Sequence, residues 1–303
     1  MDSQGVILVS LGSKGYPYMA FNMAYSIKHN SPKTKVHLVA DSSIEYLPHD
    51  RRFVFDSIEP AKPEDYISNG SLDPGKLKSR IYKYLPFKHN LYLDVDGLVL
   101  SDLSNAFTSL ISDDRWYITS EQGRGKLTEK INYSEWATNE AIQEHFKLKD
   151  SQELVAIQSS WAYIQKGREA QKFFKEVEKE FEKFPKEKLN YDWGGTMPDE
   201  LIFSGLISKH NLKVDGLPNL MFFGSSGTAA NPAEVEKTHT IMSVYGNGRG
   251  RTMTPLRYWD HYDRLMFAWT KKHRLADDEL STTHIYKSTI VKPYKHANRH
   301  QKK

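Results

Sequence analysis

Leu91-Tyr-Leu-Asp-Val-Asp-Gly-Leu-Val-Leu100 is an apolar run that carries two acids, Asp94 and Asp96. Buried strands are written in Val, Leu and Tyr, and an ionised carboxylate inside one is costly unless something pairs with it. Side chains two apart in a strand share a face, so Asp94 and Asp96 are expected to reach one ligand where the strand leaves the sheet. Hard carboxylate oxygens suit Mn2+ or Mg2+, ions commonly shared with substrate phosphates. A turn at Asp96-Gly97 accounts for Asp96 but leaves Asp94 inside the hydrophobic run. The metal or phosphate reading is preferred on that ground.

The segments on either side suggest a sheet around this run. Residues 5–11 read as a buried strand and end in a glycine loop, Gly12-Ser-Lys-Gly15. Met19, Met23, Ala24 and Ile27 then fall at helical spacing, and residues 36–40 read as a second strand. A strand, helix, strand order predicts an α/β fold with parallel strands and right-handed crossovers. Residues 75–85 are expected as one helix, with Leu77, Ile81 and Leu85 spaced by four and Pro86 as its stop. Residues 116–119, 155–157 and 162–164 read as three further strands, and residues 168–184 as a long amphipathic helix. A polar loop at 190–200 leads into an apolar helix at 201–207, and a late strand at 240–245 precedes a glycine-rich basic loop at 246–251.

Composition limits the function classes. The chain has 303 residues, of which 39% are hydrophobic, enough for one elaborated globular domain. The simplest organisation is a domain over residues 1–255 with a helical, basic extension over 256–303. The absence of cysteine excludes disulfides, thiolate nucleophiles and Cys-ligated zinc. No apolar run of transmembrane length and no leader pattern is read at the start, so a soluble, cytoplasmic protein is expected. The formal net charge is +4, and basic residues gather late, from Arg249 and Arg251 to the Lys302-Lys303 tail. That bias raises the possibility of an anionic acceptor, nucleic acid or a lipid diphosphate.

Four loops carry the candidate chemistry, because ligands of open parallel sheets bind beyond the carboxyl ends of the strands. Ser10, Gly12 and Tyr16 offer close backbone approach and a ring that can stack on a base. Arg80, with Lys76 four residues before it, is the preferred phosphate partner, since a planar guanidinium matches phosphate oxygens. Asp199 and Glu200 open the apolar helix, where the dipole favours acids, and are the candidate catalytic groups. Gly246, Arg249 and Arg251 form a plausible diphosphate cradle. The chain has neither the P-loop spacing nor a G-x-G-x-x-G after its first strand, which weighs against kinases and dehydrogenases. His239 and His284 are candidate metal ligands.

Taken in order, these segments resemble the nucleotide-sugar glycosyltransferases of the GT-A fold over roughly residues 5–255, most closely the family 8 group of glycogenin and galactosyltransferase-like enzymes. The specific part is Lys78-Ser-Arg80 through Leu85-Pro86, then Asn90-Leu-Tyr-Leu-Asp-Val-Asp-Gly-Leu-Val-Leu-Ser-Asp-Leu103. The resemblance implies a Rossmann-like GT-A domain with a mostly parallel central sheet. It implies that Asp94 and Asp96 bind Mn2+ or Mg2+ at the diphosphate of a nucleotide-sugar donor, usually a UDP-sugar, and that Arg80 contacts the donor. Ser159-Ser-Trp-Ala162 then lies on the acceptor-side strand and Pro198-Asp199-Glu200 near the anomeric carbon, whose configuration is retained. The chain departs from the family at three places. Ser159-Ser160-Trp161 stands for Asn-Ser-Gly, Glu200 for Gln, and Ser243 for the third metal ligand, so that either the metal is held by fewer protein ligands or His239 or His284 substitutes.

The expected function is metal-dependent transfer of a sugar from a nucleotide-sugar to a hydroxyl acceptor. A nucleotidyltransferase is one alternative, but it needs a glycine- and arginine-rich loop after the first strand, where only Lys14 stands. Another is a non-catalytic nucleic-acid-binding protein using the basic end of the chain, or a glycosyltransferase whose acceptor is modified DNA.

Overall fold

The computed structural model describes residues 3–12, 15–127, 134–190, 196–223 and 232–243. The apolar run at the start forms strand β1, Gln4–Ser10, buried over nearly its whole length. Helix α1, Gly15–Asn30, turns Met19, Ala20, Met23, Ala24 and Ile27 inward, and β2, Lys35–Ala40, pairs parallel with β1. β3, Ser57–Pro60, extends the sheet in the same direction. A short helix, α2 (Pro63–Tyr66), and a small hairpin of β4 (Ile67–Ser68) and β5 (Ser71–Leu72) lead to helix α3, Pro74–Ser79.

Residues 75–85 are not the single helix expected. α3 ends at Ser79, Arg80 leaves helical geometry, and Ile81–Tyr84 form a 3-10 turn. Leu77, Ile81 and Leu85 are all buried, as their spacing requires, but the tighter turn buries Tyr84 as well, three residues after Ile81.

The run at 91–100 also divides. β6, His89–Leu93, is fully buried and parallel to β1, whereas β7, Gly97–Val99, belongs to a second sheet. Asp94 and Asp96 lie in the connection between the two sheets, so the alternation of β6 extends to Asp94, one residue past its end, but does not place Asp96 on the same face. Helix α4 (Ser104–Ser112), strand β8 (Tyr117–Lys126) and helix α5 (Asn139–Phe146) follow. The two strands read at 155–157 and 162–164 are one, β9, Glu153–Gln165. Helices α6 (Arg168–Lys183) and α7 (Asp199–Lys209) then precede β10 (Met221–Phe223) and β11 (Ile241–Ser243).

The main sheet has the order β3-β2-β1-β6-β9-β8. Only β9 runs against its neighbours, so the sheet is mostly parallel. Its pleat sends Val6, Leu8, Leu91, Leu93, Trp161 and Tyr163 into one core, with α1, α4 and the second sheet of β10, β11 and β7. Ile7, Tyr92, Ala162 and Ile164 enter the other, under α3, α5, α6 and α7. Tyr92 thus points to the layer that holds α3 and α7, and Asp94 follows it to that side. No helix among the described residues is long and apolar enough to cross a membrane. The extension at 256–303, His284 and the loop residues Gly246, Arg249 and Arg251 lie outside the described residues.

Candidate active site

β1, β2, β3 and β6 are parallel, so the residues that follow them, among them Gly12, Asp41, Ala61 and Asp94, share one edge of the sheet. β9 crosses this edge from the opposite direction. It pairs Trp161 with Leu93, and the Asp94 N–H donates to the Ser160 carbonyl at 2.8 Å. On its other side the β8 register jumps from Thr119/Ala162 to Ser120/Gln158, leaving Ser159, Ser160 and Trp161 in a bulge. Thr119 Oγ1 closes that bulge by donating to the carbonyls of Gln158 and Trp161, at 3.2 and 2.6 Å. A bulge re-aims side chains without ending the strand, and this one presents Ser159 beside Asp94.

Two helices bring the remaining groups. Asp73 caps α3 by accepting from the Lys76 N–H at 3.2 Å, and Pro74 occupies the first helical position, where its missing N–H costs nothing. At Gly75 a Cβ atom would lie 2.5 Å from the Met197 carbonyl, so a glycine is required for α3 to lie this close to the segment entering α7. The consequence is that Lys78 on α3 meets Asp199 on the first turn of α7.

Lys78 Nζ lies 2.9 and 3.1 Å from the two oxygens of Asp94, 3.8 Å from Asp199 Oδ2 and 3.4 Å from Ser159 Oγ. It also sits over the Tyr92 ring, 5.6 Å from the centroid. Tyr92 adds its own hydroxyl, donating to Asp94 Oδ1 at 2.5 Å. Burial disfavours the ammonium, but Asp199 and Asp94 outweigh that and hold Lys78 well above the ordinary lysine range. Asp94 is itself pushed up by burial, against the pull of Lys78 and Tyr92. Lys78, Tyr92, Tyr117, Ser159, Asp199 and Phe203 line a small cavity, and Asp199 Oδ2 accepts no hydrogen bond among the described residues.

Glu200 is held differently. Its Oε1 accepts from the Ser159 N–H at 3.1 Å and its Oε2 from the Trp136 indole N–H at 2.9 Å. Burial and the neighbouring Asp199 push its pKa to about 7, although Ser159, Trp136 and Lys78 all favour the anion.

The other predicted residues fall into three groups. Ser10 is buried at the end of β1, and Gly12, in the left-handed region at φ 90°, is fixed by its N–H donating to Asp41 Oδ2 at 2.9 Å. Tyr16 is exposed in the first turn of α1. Arg80 is taken up by acids of α2 and α6. It pairs with Glu182 at 2.8 Å, Asp65 at 3.5 Å and Glu178 at 3.7 Å, and the cation that the fold brings to Asp94 is Lys78. His239 lies at the far end of β11 from the carboxylates. Ser243, the last residue of that strand, pairs with Gly97, next to Asp96, whereas the Thr240 carbonyl accepts from Leu100. His239 instead packs edge-on to Phe222.

Among the described residues no group of three His, Cys, Asp or Glu could hold a metal ion. Asp94 and Asp96 alone still offer the donor set that Mg2+ and Mn2+ use when substrate phosphates complete the shell. A carboxylate has about four lone-pair sites, so the contacts of Asp94 with Lys78 and Tyr92 leave room for a cation. No local sequence pattern marks Lys78, Tyr92 or Trp136 for the site. Lys78 sits between the two cations that helical spacing favoured, and Trp136 is 64 residues from its partner Glu200.

No protein-family model matches the chain, and no curated protein sequence matches it. Solved structures do. The galactosyltransferase LgtC, in complex with donor and acceptor sugar analogues, superposes with a TM-score of 0.54 at 15% identity, covering 89% of this chain and 96% of that one. An active-site mutant of LgtC gives 0.52 at 14% identity, covering 88% and 96%. The bifunctional glycosyltransferase WbbM gives 0.55 at 10% identity, covering 95% of this chain and 52% of its own. At such identities the likeness is one of fold, and the fold of this chain is that of the GT-A glycosyltransferases.

Proposed function

We propose that the chain is a glycosyltransferase that moves a sugar from a nucleotide-sugar, a UDP-sugar, to a hydroxyl group of an acceptor with retention of anomeric configuration. One observation carries this reading: on a GT-A fold, Lys78 is held between Asp94 and Asp199 at the edge where ligands of such sheets bind. LgtC, solved with donor and acceptor sugar analogues, is consistent with it.

Breaking a sugar–phosphate bond leaves negative charge on the nucleoside diphosphate and positive character on the sugar. Lys78, already ionised and only partly exposed, is placed to take up the diphosphate charge. Asp94 and Asp96 would hold Mn2+ or Mg2+, which supplies further charge neutralisation at the diphosphate. Gly12, held by Asp41, offers backbone to the nucleotide side. Gly246, Arg249 and Arg251 follow Ser243 closely in sequence and are assigned to the same diphosphate. Asp199, with an oxygen free of hydrogen bonds among the described residues, orients the acceptor hydroxyl or steadies the sugar cation.

A thermal-shift series tests donor binding. A UDP-sugar with Mn2+ at a hundredfold excess over its dissociation constant is expected to stabilise the fold by about 2.7 kcal/mol. Unchanged melting across UDP-sugars, with and without Mn2+, would remove the support for this reading.

A further inference from the structure

Glu200 is gripped at both oxygens by groups that can only donate. The Ser159 backbone N–H reaches Oε1 and the Trp136 indole N–H reaches Oε2. An amide at this position has one oxygen, so its NH2 group would face one of the two donors. The pair therefore selects a carboxylate, which gives a physical reason for Glu200 where the resemblance places Gln. The backbone that carries the indole is held by the segment around Asn190. The Asn190 N–H donates to the Trp136 carbonyl at 2.8 Å, Asn190 Nδ2 donates to the Glu135 carbonyl at 3.0 Å, and Ala137 bridges to Leu189. A donor on an anchored backbone thus crosses from the segment before α5 to the first turn of α7.

We propose that Trp136 is a positioning residue for the transfer reaction: its indole N–H, with the Ser159 N–H, fixes the Glu200 carboxylate beside Asp199 and makes an anion the working group there. The inference rests on the glycosyltransferase reading. Among the described residues, the charged groups that act on Glu200 are Asp199, which opposes its ionisation, and Lys78, which favours it. Removing the indole donor leaves burial and Asp199 less opposed, so the anion forms only at higher pH.

Three variants test this on the full chain, Trp136→Phe, Glu200→Gln and the double variant, with UDP release from UDP-glucose or UDP-galactose as the rate. Trp136→Phe is expected to lower kcat roughly tenfold, the scale of one hydrogen bond to a charged group, with little change in KM. The acid limb of its pH profile is expected to move upward. Glu200→Gln is expected to lower the melting temperature, and Trp136→Phe to restore part of that loss in the double variant, because the opposed donor is gone. A Trp136→Phe protein with the kcat and pH profile of the unaltered chain overturns the inference while leaving the glycosyltransferase reading intact. No UDP release by the unaltered chain overturns both. If Trp136→Phe does not fold, Glu200→Gln decides alone: melting and kcat equal to those of the unaltered protein overturn the proposal.

Discussion

Lys78 joins residues that are far apart in the chain. Its ammonium is the counter-charge of Asp94, sixteen residues on, and of Asp199, which belongs to another helix. Breaking a buried ion cluster by removing one partner is far more damaging than replacing the whole cluster, because the remaining charges are left in a poor dielectric. Lys78→Met is therefore expected to destabilise the fold by about 3 kcal/mol in chemical denaturation. It is also expected to abolish UDP-sugar turnover, and a variant with unchanged stability and turnover would leave Lys78 without the role assigned to it. The sequence made Asp94 legible because an acid in an apolar run must be paired. Its partner was not legible. Lys76 and Arg80 do meet one anion, as their spacing suggests, but it is the Glu182 carboxylate of α6, at 3.7 and 2.8 Å, and not a ligand at Asp94. Arg80 is also spent on Asp65 and Glu178.

At the scale of elements, the site depends on how closely α3 approaches the entry to α7. Gly75 permits that approach, since any Cβ would press on a backbone carbonyl that no rotamer change can move. Gly75→Ala is expected to cost about 1–3 kcal/mol, the range for overpacking, and to lower turnover with it by separating Lys78 from Asp199. Urea unfolding and a UDP-release assay on the same preparation check both effects, and an alanine variant as stable and active as the unaltered chain would show the contact to be unimportant. The strands were more legible than the helices. β1, β2 and β6 follow from continuous apolar runs, whereas the break at Asp94 and the fusion of 155–157 with 162–164 into β9 depend on pairing between distant segments. The bulge at Ser159–Trp161 is set by the β8 register and by Thr119, neither of which a local pattern contains.

For the whole molecule, the arrangement is a mostly parallel sheet whose strand ends converge on one edge, with a reversed strand crossing beside them. Alternation along β6 sends Leu91 and Leu93 into one core and Tyr92 into the other, and so carries Asp94 toward the layer of α3 and α7. The order of strands and helices was enough to expect this architecture from sequence, and the superposition on LgtC and WbbM agrees with it. What the order could not supply was the third dimension of the site, in which Ser243 rather than His239 ends next to Asp96 through the β7–β11 register. We propose that the carboxylates at this edge serve the cleavage of a sugar nucleotide. This is tested most directly by UDP release from UDP-sugars in the presence of Mn2+, comparing the unaltered chain with an Asp94→Asn/Asp96→Asn double variant. Release by the unaltered chain and a loss of roughly 100-fold or more in the variant are expected; release by the double variant at the unaltered rate would contradict the claim.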